Sequence, residues 1–315
     1  MKERKVGIVG LGNVGAHCAL GLAMAGAVNT LRFYDIDFQK AESERLDLLD
    51  STAALPHRVH ITAGEAEALA DCDIVVVALA SKERHYEEDR LAELRFNLPQ
   101  VRAVIPRIVA AGFRGLFINI TNPCDVITQE IYKLSGFPKE RVFGTGTALD
   151  SYRLRRILSE RSGVDVRSIE GFMLGEHGNS QIVAWSQVRI GGVPFAEWKR
   201  RAQNPEALGE AALEEAVRTA AWRVWDGKHC TDFAIALALT RIVEAIFDDA
   251  HLITPLSTRL EGEYGEREIY AGVPCELGSG GVTRVAECAL PSEELARFHQ
   301  SVEVIRQAIS AGEQW

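Results

Sequence analysis

The chain has 315 residues, 47% hydrophobic and 25% charged, the balance of an ordinary globular protein with room for one large domain or two closely packed ones. Its formal charge of -9 is spread along the sequence, which argues for solubility and against a nucleic-acid partner. The six cysteines lie far apart with no CxxC pair, so they read as a reduced, cytosolic complement, and no apolar stretch reaches the roughly 18 to 20 residues that would span a bilayer.

Charged residues after Met1 lead straight into an apolar run, leaving no room for a secretory leader, and a cytoplasmic protein is expected. Short β-rich runs then alternate with helical stretches: VGIV (6–9), LRFY (31–34), IVVVAL (74–79), LFINI (116–120) and a short VFG at Val142. Apolar strands separated by amphipathic helices predict an α/β fold, a Rossmann-type doubly wound parallel sheet covered on both faces. Past Gly146 the pattern changes to a helix over 152–161, a strand-rich stretch over 182–190 broken by Gly191-Gly192, and long helices over 206–225 and 232–248. A hairpin over 269–285 turning at Gly278-Ser279-Gly280-Gly281 and a helix after Pro291-Ser292 complete it. Two units are expected: a dinucleotide-binding domain over 1–146 and a mixed α+β substrate domain over 147–315.

Gly10-Leu11-Gly12-Asn13-Val14-Gly15 follows the first strand and opens a small-residue helix over 16–25. A lone GxGxxG is a weak signal, but this one has a strand before it, a helix after it, and Asp35 ending the second strand about twenty residues on. Gly10 permits the tight turn, Gly12 lets the backbone approach a pyrophosphate, and Gly15 lets helix and strand pack closely. The helix N-terminus, from Asn13 and Val14, offers unpaired N–H groups to the anion. Asp35 would accept hydrogen bonds from the adenosine ribose and repel the extra phosphate of NADP, so NAD is the expected cofactor; Asp37 is a rival on the same face. The alternative is a glycine-rich turn of purely structural use.

Gly175-Glu176-His177-Gly178-Asn179-Ser180 resembles the active-site histidine segment of the lactate/malate dehydrogenase family. Thr121-Asn122-Pro123, the run from Gly144 to Asp150, Arg153 and Asp89-Arg90-Leu91 support the resemblance in the family's order, nearly along the whole chain. The wording GTGTALDSYR, GEHGNSQIVAWSQVRIGG and DRLAELRF looks most like L-2-hydroxyisocaproate dehydrogenases.

The chemistry accounts for the residue types. Oxidising a 2-hydroxy acid moves a hydride from C2 to the nicotinamide and a proton from the hydroxyl, so a base with a near-neutral pKa must reach that oxygen, and His177 is the candidate. Asp150 would bind the other imidazole nitrogen, its alternative role being an N-cap for the helix beginning at Tyr152. Arg153 supplies a planar fork for the substrate carboxylate, whereas Arg155 and Arg156 are expected to face solvent or a subunit contact. The resemblance implies that Arg90, in a polar loop, closes over the site and polarises the carbonyl, that Asn122 contacts nicotinamide or substrate, and that Thr231, on a later helix, lines the pocket. It also implies a homodimer or homotetramer, with helix 16–25 and the helix from Asp232 as contacts, and no metal.

The chain departs from the family in its unusually charged loop KERHYEEDR (82–90), with Tyr86-Glu87 where lactate dehydrogenases often carry PG. Glu170 stands where fructose-bisphosphate-activated members have a histidine, and its charge would repel the sugar phosphate, so no activation by that effector is expected. Arg84 falls at the position facing the substrate side chain, where malate dehydrogenases carry arginine and lactate dehydrogenases an uncharged residue. Taken alone it favours malate. Against it stand Thr231, the hydroxyisocaproate-like wording, and Glu83, Glu87, Glu88 and Asp89, which would hold Arg84 outward. The expected substrate is a monocarboxylic 2-oxo acid with a medium-sized aliphatic or aromatic side chain, with oxaloacetate reduction as the alternative. An NAD-dependent glycosidase, which needs a metal site with cysteine and histidine ligands, is disfavoured by the intact GEHG segment, Asp150 and Arg153, and a non-catalytic NAD sensor because no catalytic position is lost.

Overall fold

The computed structural model describes residues 3–80, 90–202 and 205–313, with the side chains of 90–92 outside that description. Arg84 and the Arg90 side chain therefore lie outside the described residues.

The first part alternates strand and helix: β1 (Lys5–Val9), α1 (Asn13–Ala25), β2 (Thr30–Tyr34), α2 (Phe38–Ser51), β3 (His60–Ala63) and β4 (Ile74–Val77). It continues with α3 (Arg90–Ala110), β5 (Leu116–Asn119), α4 (Cys124–Ser135) and β6 (Val142–Gly144). All residues of β4 and β5 are buried, as strands covered on both faces require. These strands pair in parallel in the order β3-β2-β1-β4-β5-β6. The winding reverses between β1 and β4, and a doubly wound sheet opens a crevice there, at the carboxyl ends of its strands.

The second part comprises α5 (Ala148–Ser162), the short strands β7 (Ile169–Glu170), β8 (Met173–Leu174), β9 (Ile182–Val183), β10 (Arg189–Ile190) and β11 (Val193–Pro194), and helices α6 (Phe195–Arg201), α7 (Glu210–Lys228) and α8 (Phe233–Phe247). It ends with β12 (Leu252–Glu261), β13 (Arg267–Gly278), β14 (Gly281–Val285) and α9 (Ser292–Gly312). β12, β13 and β14 add antiparallel strands beyond β6, giving a nine-stranded sheet that runs through both parts. The main core is likewise continuous, from Ile8 and Phe33 to Leu256, Val273 and Phe298. A smaller core, with Leu154, Ile169, Val183, Phe195 and Leu213, lies among α5, α6, α7 and the short strands.

Several local expectations change. β3 escapes a search for apolar runs because its sequence is HITA at the sheet's edge, with one buried side chain. β12 and β13 each contain a proline, which argues against a strand, but Pro255 and Pro274 stand opposite one another and confine the missing N–H groups to one rung. The strand-rich stretch expected over 182–190 contains β9 and β10, separated by a turn at Trp185, whose indole N–H donates to Glu214 at 2.7 Å while its ring stacks on Phe195. The helix expected over 206–225 starts later, after Gly209, and runs to Lys228. Among the described residues no helix is long and apolar enough to cross a membrane, and all six cysteines are free.

Candidate active site

Four strand ends deliver the crevice. β1 runs into Gly10, β2 into Asp35, β4 into Ala78, and β5 into Thr121 and Asn122. Gly10 has φ +92°, left-handed backbone that disfavours a side chain, and a Cβ there would lie 2.6 Å from the Ala78 carbonyl oxygen. At Gly15 a Cβ would fall 1.9 Å from the Gly10 oxygen, so helix and turn pack as the motif requires. Gly12 faces open space. It caps α1 without a side-chain hydrogen bond, and the first turn of α1 contains no acidic residue, so the helix N-terminus is a ready anion cradle.

Asp35 accepts the Leu11 N–H at 2.8 Å through Oδ2 and the Asp37 N–H at 3.0 Å through Oδ1. It is thereby fixed beside the glycine turn. Asp37 caps α2, accepting the Lys40 N–H at 3.2 Å, which separates the two rival carboxylates by role. Asn122 is pinned through its carbonyl by the Asn97 amide at 2.7 Å, yet its own Oδ1 is buried without a hydrogen-bond partner among the described residues. Such an atom calls for a donor from outside the described residues, as a bound ligand would provide. The glycine cradle, the strand-end carboxylate and this acceptor fit a dinucleotide.

Opposite the cradle, Asp150 joins two of the residues expected in the site. Its Oδ2 lies 2.6 Å from Nδ1 of His177 and its Oδ1 accepts from Nη1 of Arg153 at 2.8 Å. Asp150 is 1% exposed, Arg153 13% and His177 21% by side chain, a gradient from buried anchor to accessible imidazole. Burial alone would push the Asp150 carboxyl up. The charges and hydrogen bonds of His177 and Arg153 outweigh it and hold the carboxyl well below the usual carboxylate range. An N-cap role for Asp150 is overturned, because α5 begins at Ala148 and Asp150 sits inside its first turn with its side chain turned to the histidine. Arg153 follows one turn later on the same face, the i,i+3 spacing that lets both residues meet.

Three residues that sequence reasoning missed hold the His177 loop. Asp125, in the first turn of α4 and 2% exposed, accepts the His177 backbone N–H at 2.9 Å and the Ser257 hydroxyl at 2.6 Å. Ser301, fully buried on α9, accepts the Glu176 N–H at 2.8 Å. Gly175, at φ +93°, leaves no room for a Cβ, which would meet the Ser301 hydroxyl at 2.3 Å. An acidic residue closing TNPCD at the head of an apolar helix was a readable signal for Asp125; Ser257 and Ser301 carried none.

Thr231 precedes α8 rather than lying on it, next to the Asp232 cap. Ile235 and Ala238 of α8 pack with Leu149 of α5, Val14 of α1 and Ile120, which closes the apolar wall between cradle and histidine. Arg156 is exposed and pairs with Glu160, but Arg155 is half-buried, its guanidinium over the Tyr152 ring with Nε unpartnered among the described residues, and burial lowers its pKa. Full exposure of Arg155 is thus not what the fold provides.

Residues 4–144 match the family model described as lactate/malate dehydrogenase, NAD binding domain, and residues 147–315 that of the lactate/malate dehydrogenase, alpha/beta C-terminal domain. An L-lactate dehydrogenase of Fusobacterium nucleatum is 40% identical over 316 aligned positions, covering 100% of this chain and 99% of that protein. L-lactate dehydrogenase 1 of Bifidobacterium longum is 39% identical, over 98% of this chain and 97% of its own. Among solved structures, the minor L-lactate dehydrogenase of Enterococcus mundtii in its ligands-bound form superposes with a TM-score of 0.92 at 35% identity, covering 98% of each chain. A lactate dehydrogenase, MGS-M5, from a Medee basin deep-sea metagenome library gives 0.93 at 32% identity, covering 99% of this chain and 100% of that one. Fold, crevice and matches along the whole chain agree: the protein belongs to the lactate/malate dehydrogenase family and is an NAD-dependent L-2-hydroxy acid dehydrogenase.

Proposed function

We propose that the chain interconverts a monocarboxylic 2-oxo acid and its L-2-hydroxy acid in the manner of an L-lactate dehydrogenase. The observation that carries this is the Arg153–Asp150–His177 linkage, in which one buried carboxylate aligns a carboxylate-binding fork with a proton-exchanging imidazole. Asp150 keeps a proton on Nδ1 of His177, so Nε2 is the nitrogen that gives a proton to the substrate oxygen in reduction and takes it back in oxidation. Arg153 uses one donor on Asp150 and has others for the substrate carboxylate. Arg90, at the start of α3, polarises the carbonyl, and Thr231 borders the side-chain pocket. Bound NADH supplies the hydride.

The Gly10, Gly12 and Gly15 turn with the N–H groups of Asn13 and Val14 would hold the pyrophosphate, Asp35 the ribose, and Asn122 the nicotinamide end. Asp35→Ala is expected to weaken NADH binding and relax discrimination against NADPH, read from kcat/KM with each cofactor. Equal efficiency of the unmutated protein with both would remove the role of Asp35.

Relatives named L-lactate dehydrogenase support a monocarboxylic substrate against malate. An inward Arg84 facing an apolar side chain would be a desolvated charge without a partner, costing about 3 to 5 kcal/mol, or some hundreds- to thousands-fold in kcat/KM. The test compares oxaloacetate, pyruvate, 4-methyl-2-oxopentanoate and phenylpyruvate in wild type and Arg84→Gln. A monocarboxylic acid is expected to lead in both. Oxaloacetate leading by about a hundredfold in wild type, and losing that lead in Arg84→Gln, would instead make the protein a malate dehydrogenase.

The same reading takes the protein as cytoplasmic, divided near Gly146 into nucleotide-binding and substrate units. Met24 of α1 and Phe233 and Leu237 of α8 are exposed apolar side chains on helices packed against each other, which supports a homodimer or homotetramer through this face.

A further inference from the structure

Resting on His177 as the proton-exchanging group, we propose that Asp125 is a positioning residue for it: a second buried carboxylate that holds the main chain of the histidine loop and lends its negative charge to the imidazolium. Its hydrogen-bond partners among the described residues, the His177 amide and the Ser257 hydroxyl, are both neutral donors. A neutral side-chain amide could accept the His177 N–H through its oxygen and donate its NH2 to a turned Ser257 hydroxyl. Burying a charge merely to anchor a loop is therefore a costly arrangement, unless that charge acts on something.

The groups around it define what it acts on. From α5, Asp150 and Arg153 face the imidazole as a paired carboxylate and guanidinium. β12 gives Asp125 the Ser257 hydroxyl, and α9 gives the loop the Ser301 hydroxyl, both neutral groups. Glu176, beside His177, opposes ionisation of Asp125, while the imidazolium favours it. The N-terminus of α4 offsets part of the cost of the charge, since Asp125 lies in the first turn. Burial nonetheless pushes its carboxyl above the usual carboxylate range. Asp125 and His177 thus sit on two elements, α4 and the Gly175 loop, joined by a hydrogen bond of 2.9 Å through which loop position and imidazole charge are coupled.

Asp125→Asn keeps the acceptor for the His177 N–H, and the Ser257 hydroxyl can turn to accept from the new amide, so geometry is retained and charge removed. Reduction of a 2-oxo acid needs protonated His177, and kcat/KM declines as pH rises through its deprotonation. With one negative charge fewer the imidazolium is less favoured. The decline is expected to move to lower pH by about 0.5 to 1 unit, with the Kd for NADH, followed by fluorescence, changed less than about twofold. Ser257→Ala, which removes one donor and so raises the pKa of Asp125 itself, should move the decline the same way by less. A decline at the wild-type pH in folded Asp125→Asn, whatever its kcat, overturns the proposal and leaves a plain loop anchor; should that variant not fold, an unmoved decline in Ser257→Ala overturns it. A wild-type profile with no such decline, accompanied by an active His177→Asn, would remove the reading of His177 instead.

Discussion

Replacing His177 by asparagine is expected to leave NADH binding nearly intact while kcat falls about 10²- to 10⁴-fold, the usual contribution of a positioned acid-base group. The asymmetry follows from the layout. His177 stands on the Gly175 loop, anchored through backbone contacts to Asp125 and Ser301, while the nucleotide cradle is built from β1, α1 and β2. Asparagine is shorter and cannot exchange a proton near neutral pH, but its amide can still donate to Asp150, and Asp150 retains Arg153 as its cationic partner. A fluorescence titration with NADH and steady-state turnover of a 2-oxo acid measure the two halves separately. Full turnover in the variant would sink the assignment.

Arg153→Leu is expected to have a comparable effect through a different parameter. Two interactions vanish together: the fork for the substrate carboxylate, and the pairing that offsets the burial of Asp150. Leaving the bound substrate carboxylate buried without its partner costs about 3 to 5 kcal/mol, so kcat/KM should fall some hundreds- to thousands-fold with much of the loss in KM, while the lost Asp150 pairing appears as reduced stability. Arg153→Lys separates the contributions. Lysine restores a positive charge for Asp150 but grips a carboxylate at one point rather than two, and recovery should be partial. A rise in KM smaller than about tenfold in the leucine variant, with kcat retained, would place the substrate carboxylate elsewhere.

The parts of the site most legible in the sequence were those whose chemistry depends on neighbours along the chain. Gly10, Gly12 and Gly15 share one strand-turn-helix unit, in which Gly15 packs on the Gly10 carbonyl, and Asp150 and Arg153 share a face of one helix because helical periodicity puts them there. Asp35 was preferred to Asp37 for ending its strand, and the fold gives Asp37 a capping role instead. Asp125 adjoins Thr121-Asn122-Pro123 in sequence, but its role is defined by a contact with His177 across the chain, which local spacing does not reveal. Thr231 was placed on a helix that begins just after it, since an apolar pattern does not locate the cap.

What the sequence by itself determined was the parallel α/β half, the nucleotide turn and the set of residue types that the reaction needs, all of them carried by local periodicity and short spacing. Only the tertiary structure decided that β12, β13 and β14 extend the same sheet, and that the histidine loop is fixed by α4, α5, β12 and α9. Those features rest on pairings between segments remote in sequence: a strand containing Pro255 is tolerated because Pro274 lies opposite it, and the buried Asp125 of α4 is tolerated because a loop amide and a hydroxyl from β12 reach it. Each such residue looks unfavourable in its own segment. It becomes favourable only once the partner that satisfies its missing donor or its buried charge has been brought alongside.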